Sequence, residues 1–293
     1  MQEDPNPGTG PGHLMPGSDD GLLVRALEGD GMALEALLRR EQDWIYNVCR
    51  RMVMNPEDAR DLTQEILLKI TTNLSRYDSR IASFPTWVRK ISVNHVLNAK
   101  KKPVEEQMPD FQGYGEVLDS IENQIPDESL SADPLFPVLV EEAKLGCMAG
   151  MILCLDRSER IVFVLGEIMG LKDFEAADML QIQPAAYRKR LSRARKSLYS
   201  FMNDKCGLIN RSNPCRCEKK TIGFMERGWV DRQRLLFVEE HRQTVLQYAG
   251  KHFEMLDDFC DQGYGELSRS SPFWGTPEET LQRVLSALDS SAS

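Results

Sequence analysis

The sequence predicts an all-α protein: two small helical domains joined by an acidic linker, then a mainly helical C-terminal extension. Three observations carry this. Apolar residues recur at three- and four-residue steps, as in Leu34, Leu37, Leu38, Ile45, Val48, Cys49, Met52 and Val53. Turn-forming Pro, Gly and Asp crowd the stretch from Pro103 to Pro137, between two helical blocks. A length of 293 residues suits two small domains better than one, at roughly 100–200 residues each.

Composition narrows the class. Hydrophobic residues are 41% and charged residues 28% of the chain, enough to bury real cores. No apolar run approaches the roughly 20 residues that span a bilayer, so no membrane insertion is expected. Residues 1–19 are rich in Pro and Gly without a basic-then-apolar pattern, which reads as a disordered lead-in and not a secretory signal. Seven irregularly spaced cysteines do not make a disulfide scaffold. A cytoplasmic protein with reduced thiols is expected.

The net charge of −9 conceals three blocks. Arg76 to Lys102 holds seven Lys/Arg and one acidic residue, and Pro184 to Lys220 holds eleven against two. Between them, Pro103 to Gly146 carries eleven Asp/Glu and only Lys144. Two basic patches imply two polyanion contacts, joined by a segment that repels or imitates a polyanion. Solvated helix faces are the plainer explanation of any one run, but three alternating blocks weaken it.

Taken in order, residues 20–102 form the first domain. Asn55-Pro56 breaks the Leu34–Val53 helix, and Pro56 starts the next one, to about Leu74. A turn-like stretch from Ser75 to Arg80 leads to a helix from about Ser83 to Lys101, which ends at Pro103. The linker, 103–137, shows no sustained period and reads as mostly extended or mobile. The second domain, 138–204, ends in three helices. Asp156 is the expected N-cap of one, with Glu159 three residues on, and Met169-Gly170 closes it. Lys172 to Leu180 makes the second, Gln181-Ile182-Gln183 the turn, and Pro184 starts the third. A short helix, a tight turn and a basic helix form a helix-turn-helix signature. On that third helix Tyr187, Leu191, Ala194 and Leu198 share one face, and Arg188, Lys189, Ser192, Arg195 and Lys196 share the other. In the extension, 205–293, helices are expected near Asp231–Cys260 and Thr276–Leu288.

Four motifs carry a family resemblance. The stretch Asn55 to Glu65 (NPEDARDLTQE) resembles region two of bacterial RNA polymerase sigma factors, and Ser83 to Asn94 (SFPTWVRKISVN) resembles that family's next motif. Ser158 to Phe163 and Leu191 to Leu198 resemble region four. Two regions without an upstream or middle domain match the extracytoplasmic-function, or group four, layout. The likeness spans Asp20–Asp204, roughly 60% of the chain, with the motifs in order at the right separations. It implies two small helical domains and a factor that binds core RNA polymerase, recognises promoter DNA and helps to melt it. It also allows an anti-sigma factor as a partner, and implies no catalytic residues and no required cofactor. Two departures stand out. Ala186 and Tyr187 replace the usual small hydroxyl and β-branched residues, and Pro85 interrupts the Phe-Thr-Trp motif, at a first-turn position that tolerates it.

The residues can be assigned roles on this basis. Asp58, Asp61 and Glu65 lie within about 60° on one helix face, beside an apolar stripe of Ala59, Ile66 and Ile70. A first-turn dipole complement accounts for Asp58 but not for Glu65, two turns in. In the family this face docks on the clamp helices of the polymerase's largest subunit, a role that falls here to Asp58, Asp61, Gln64 and Glu65. Promoter opening needs a basic track and a surface for an unstacked base. Arg80, Arg89, Lys90 and Lys100–Lys102 (Lys100, Lys101 and Lys102) supply the track, and Asn94 is the expected base-edge reader. Phe84 and Trp87 read first as core, and His95 as a helix-surface residue. The second basic helix would place Ala185, Arg188, Lys189 and Ser192 against base edges and Arg193, Arg195 and Lys196 against phosphates. The acidic linker resembles the family's channel-threading segment, which growing RNA displaces.

The extension holds Cys206, Cys215 and Cys217, a three-thiolate pattern for zinc or another soft metal. His241, His252 and Cys260 are candidates for a fourth ligand. Surrounding Lys and Arg should favour thiolate, which makes this loop a candidate sensor of metal or redox state. Three reduced cysteines packed on region four are the simpler reading. Cys49, Cys147 and Cys154 read as core. Two other classes compete: a helix-turn-helix regulator acting without core polymerase, and an enzyme with its catalytic domain in the extension. The first leaves the carboxylate face and acidic linker unexplained. The second lacks a phosphate-binding Gly loop, a Ser elbow or a histidine near any motif.

Overall fold

The computed structural model describes residues 19–238 and 273–291. Among these the secondary structure is helical, apart from one isolated bridge between Asp231 and Arg234. The first domain holds α1 (Asp19–Leu27), α2 (Gly31–Val53), α3 (Pro56–Thr72) and α4 (Phe84–Asn98). Side chains set their boundaries. Asp30 accepts the Met32 and Ala33 amides to open α2, and Asn55 accepts those of Glu57 and Asp58 to open α3. Pro56 and Pro85 sit in first turns, where a missing N–H costs nothing. Leu37, Ile45, Ile66, Ile70 and Val88 interlock as the core, on the apolar stripes read from the sequence.

The linker departs from expectation. It folds into α5 (Pro103–Gln107), α6 (Phe111–Asp119) and α7 (Glu128–Ser131) and is not mostly extended. Phe111, Tyr114, Leu118 and Ile121 do recur at helical spacing, but Gly113 and Gly115 hide the period. Tyr114, Leu118 and Ile121 are buried. The Tyr114 hydroxyl donates to the Cys147 carbonyl at 3.2 Å, reaching across Gly150 of α8 (Phe136–Leu153). A β-carbon on Gly150 would stand 2.5 Å from that hydroxyl, so only glycine admits the linker tyrosine.

The second domain continues with α9 (Arg157–Phe163), α10 (Asp173–Met179) and α11 (Pro184–Lys205). Asp156 caps α9 by accepting the Glu159 amide, as expected. The helix then widens into a π turn, Val164–Ile168, and ends at Gly170, whose φ is +68°.

A buried ionic cluster joins the domains. Arg160 donates to Glu105 at 2.7 Å, to the Met52 carbonyl at 2.6 Å, and to the Leu153 and Leu155 carbonyls. Arg157 pairs with Glu105 at 2.6 Å and reaches the carbonyls of Val96, Leu97 and Ala99. Those carbonyls end α4, where the helix leaves acceptors unfilled and favours a cation.

The extension wraps both domains. It contains α12 (Cys217–Glu226), which the sequence reading missed, against α8. Residues 231–238 are irregular where a helix was expected to start, and the rest of that expected helix lies outside the described residues. The helix expected over Thr276–Leu288 is α13 (Glu278–Ser291), which lies along α3 and α2. The Glu142 carboxylate of α8 accepts the amides of Leu236, Phe237 and Val238. Arg50 of α2 donates to the Leu236 carbonyl at 2.6 Å and stacks on the Phe237 and Trp274 rings. Asn47 donates to the Trp274 carbonyl and accepts its amide. The extension is thus integrated with both domains.

Candidate functional site

The carboxylate face of α3 forms because the opposite side, Ala59, Leu62, Thr63, Ile66, Leu67 and Ile70, is buried. Asp61 is exposed. Glu65 is exposed and bonds His95 at 2.8 Å, and Asp58 stands 3.4 Å from Lys102. Gln64 is set apart: half-buried, with its amide nitrogen enclosed and unbonded. It lies about 60° round the helix from Asp61, on the side of Glu57. Glu57 pairs with Arg234 of the extension at 3.1 Å. The open part of the face is therefore Asp61 and Glu65, with α4 on one side and the extension on the other.

The expected basic track lies around α4. Tyr77, Phe84 and Trp87 form an aromatic knot with centroids 5.5–6.0 Å apart, with Phe84 buried and Trp87 half-buried. The structural reading of Phe84 and Trp87 fits this knot. At the loop tip Arg80 clasps Asp78 at 2.6 Å, which holds the Asp78 carboxyl below its ordinary value. Ile81 beside it is 82% exposed. It went unremarked in the sequence because one apolar residue in a polar turn leaves no periodic signal. Arg89 stands 3.4 Å from Glu41 and over the Trp44 ring, and Asn94 is half-buried. Lys90 reaches Asp178 of α10 at 2.8 Å, so the second domain stands against this helix. Lys100 and Lys101 are exposed.

On α11 the wheel reading holds. Tyr187, Leu191, Ala194 and Leu198 are buried, while Ala185, Arg188, Lys189, Ser192, Arg193, Arg195 and Lys196 are exposed. Tyr187, one of the family departures, is 1% exposed and donates to the Val162 carbonyl at 3.0 Å. A β-carbon on Gly166 would lie 2.6 Å from that hydroxyl, so the glycine in the π turn makes room for the tyrosine. Burial pushes the phenol pKa up. Carboxylates of the supporting helices hold three arginines: Asp173 with Arg188 at 2.5 Å, Glu159 with Arg193 at 3.3 Å, and Glu167 with Arg195.

The cysteines overturn one expectation. Burial pushes the Cys206, Cys215 and Cys217 thiols above their ordinary value, outweighing the lowering influence of Arg216, Lys220 and Lys144. Thiol, not thiolate, is favoured. Burial likewise pushes the Cys147 thiol of α8 up to about 12. Among the described residues no three His, Cys, Asp or Glu side chains are placed to hold a metal ion. His241, His252 and Cys260 lie outside the described residues. No described helix is long and apolar enough to cross a membrane.

Comparison with known proteins adds the following. The sigma-70 region 2 family model matches residues 37–103. The ECF RNA polymerase sigma factor SigW of Bacillus subtilis is 27% identical over 184 residues, covering 62% of this chain and 95% of that protein. SigE of Mycolicibacterium smegmatis, also an ECF sigma factor, is 25% identical over 186 residues, 62% of this chain and 67% of its own. SigG of Mycobacterium tuberculosis, another, is 27% identical over 239 residues, 76% of this chain and 63% of its own. Among solved structures, CnrH in complex with the cytosolic domain of CnrY aligns with a TM-score of 0.42 at 20% identity, covering 64% of this chain and 97% of CnrH.

Proposed function

We propose that this chain, which carries a sigma-70 region 2 and is a relative of the ECF sigma factors, binds core RNA polymerase, recognises promoter DNA and helps to melt it. One observation carries the reading beyond family likeness. The α3 carboxylates stand outside the core, on a helix whose other face is buried, so packing does not require them. Asp61 and Glu65 are the centre of the polymerase contact, with Asp58 and Gln64 at its edges. The expected outcome of Asp61→Lys with Glu65→Lys is loss of core-polymerase binding by a folded protein. Pull-down with core enzyme checks this, and undiminished capture removes the face from the interface.

For DNA, α11 enters the major groove with Ala185, Arg188, Lys189 and Ser192 towards base edges, and Arg193, Arg195 and Lys196 towards phosphates. The proximal element falls to Arg80, Arg89, Lys90, Asn94 and Lys100 to Lys102. Exposed Ile81 supplies apolar surface for an unstacked base. Lys90 is engaged by α10, so using both DNA surfaces requires α10 to leave α4. On this reading the protein works in the cytoplasm, is not an enzyme, and presents faces an anti-sigma factor would cover.

A soft metal in the extension is a separate part of the reading. Its candidate thiols are Cys206, Cys215 and Cys217, which the described arrangement does not group as a metal site, so binding would require them to draw together with a fourth ligand such as His241, His252 or Cys260. Metal analysis of protein purified without chelator decides it. One zinc per chain, lost in Cys206→Ser and Cys215→Ser but kept in Cys154→Ser, supports the set. Metal-free protein leaves the three as packing.

A further inference from the structure

A cavity bordered by described residues lies where the two domains, the linker and the extension meet, not on either expected DNA surface. Its volume is about 550 Å³, within the range of small-molecule sites. Met54 closes α2 on one side, and Val117 comes from α6 and Gly146 from α8. Phe224 of α12 with Trp229 and Phe237 completes the wall from the extension. No charged residue is among the described residues of the lining, in a chain that is 28% charged.

Glycine lets two walls approach closely. Gly146 faces the Phe237 ring, and a β-carbon there would stand 3.3 Å from it. Four aromatic residues border the cavity, Tyr114, Phe224, Trp229 and Phe237. Trp229 is 43% exposed. Polar groups are few and neutral. Asn55 and Gln107 contribute amides; the Asn55 oxygen is already used in capping α3, which leaves its NH2 to donate. An apolar, aromatic-rich wall with a few neutral hydrogen-bonding groups selects by shape and apolar area. It would also penalise a charged ligand, which would lose hydration without finding a counter-ion.

We propose that this cavity is a binding site for a neutral, largely aromatic small molecule. Because its walls come from the end of α2, the linker, α8 and the extension, an occupant is linked to the arrangement that holds these together. It stabilises that arrangement by mass action and raises the melting temperature.

The test uses the full chain and the neutral fluorophore N-phenyl-1-naphthylamine. The expected result is a saturable signal at one probe per chain. Binding should weaken at least roughly tenfold, a difference readily resolved by titration, in Val104→Trp and in Val117→Trp, each confirmed folded by circular dichroism. Phe174→Ser, which removes an exposed aromatic far along the chain on α10, should leave affinity unchanged. On wild-type protein alone, the anionic relative 8-anilinonaphthalene-1-sulfonate should bind at least as much more weakly. Absence of a saturable signal overturns the site, as does equal affinity in the folded filled variants or a loss in Phe174→Ser. Equal binding of the anion overturns the neutral class.

Discussion

The two basic helices, α4 and α11, carry similar charge but meet solvent differently. On α11 the cations project from an outer face, and the carboxylates that pair with them come from helices of the same domain. On α4, Arg89 is half-buried over Trp44, and Lys90 is held by Asp178 from the other domain. The first surface is exposed, its arginines held only within their own domain; on the second, Lys90 is engaged by α10 of the other domain. A charge block in the sequence thus marks where contact can occur. Whether the surface is open depends on tertiary packing.

The strongest way to break that contrast is to unseat the junction that holds the end of α4. The Glu105 side chain is 1% exposed and Arg160 is 4% exposed, so neither charge has access to water. Glu105→Ala would leave Arg160 buried without its counter-ion, a loss of about 3–5 kcal/mol. Urea denaturation should read this as a lower midpoint. The effect has a pH signature. Burial alone would raise the Glu105 carboxyl, but the Arg157 bond, the Lys102 amide and the Arg160 charge hold it below its ordinary 4.5. A depressed carboxyl stabilises the fold fully above its unfolded value and loses that contribution as pH falls through the folded one. The gap between wild type and variant should therefore be constant near neutrality and narrow in acid.

A smaller effect should sharpen the other side of the comparison. If α11 binds promoter DNA as proposed, Arg188→Ala and Lys189→Ala should each weaken binding to the upstream element, by about 1–3 kcal/mol where the side chain reads a base. Electrophoretic mobility shifts on specific and scrambled duplexes check this. Equal losses on both duplexes assign the residue to phosphate. Arg188 must first leave Asp173, so its loss should fall nearer the lower end than that of Lys189.

The same contrast explains what the sequence could reveal. The outer face of α11 was legible because Tyr187, Leu191, Ala194 and Leu198 repeat at helical spacing, and each periodic position reports burial directly. The α3 face was legible for the same reason, except Gln64, which the wheel does not separate from its neighbours until the extension's side of α3 is known. The linker helices were lost because Gly113 and Gly115 interrupt α6, while what holds it, Tyr114 entering the space at Gly150, is a contact between distant residues. The thiols were misjudged because local Lys and Arg are visible in sequence, whereas burial, the larger influence on their pKa, is not. The placement of Tyr187 likewise needs Gly166, which no local pattern connects to it. Local periodicity reached the helices; their partners required the fold.

The smallest expected effect tests the contact between the two helices' domains most directly. Lys90 and Asp178 stand 2.8 Å apart, but their side chains are 29% and 58% exposed. Water and salt screen such a pair, which places its worth at about 0.2–1 kcal/mol. Asp178→Asn removes the charge that holds Lys90 while leaving Lys90 itself available to DNA. If α10 must leave α4 before the proximal element can bind, the variant should bind that element more tightly, by up to about fivefold for the upper energy. The gain should shrink as salt rises, because added ions weaken the wild-type pair towards the variant's starting point. Salt also weakens DNA binding in general, so the ratio of variant to wild type at each salt concentration is the quantity to follow. Fluorescence anisotropy with a labelled proximal-element strand supplies it. A ratio of one at low salt would mean that the pair is incidental to the contact between α4 and α10. A ratio that stays above one by the same factor at every salt concentration would mean that the gain does not come from loss of a salt-screened charge interaction of Asp178.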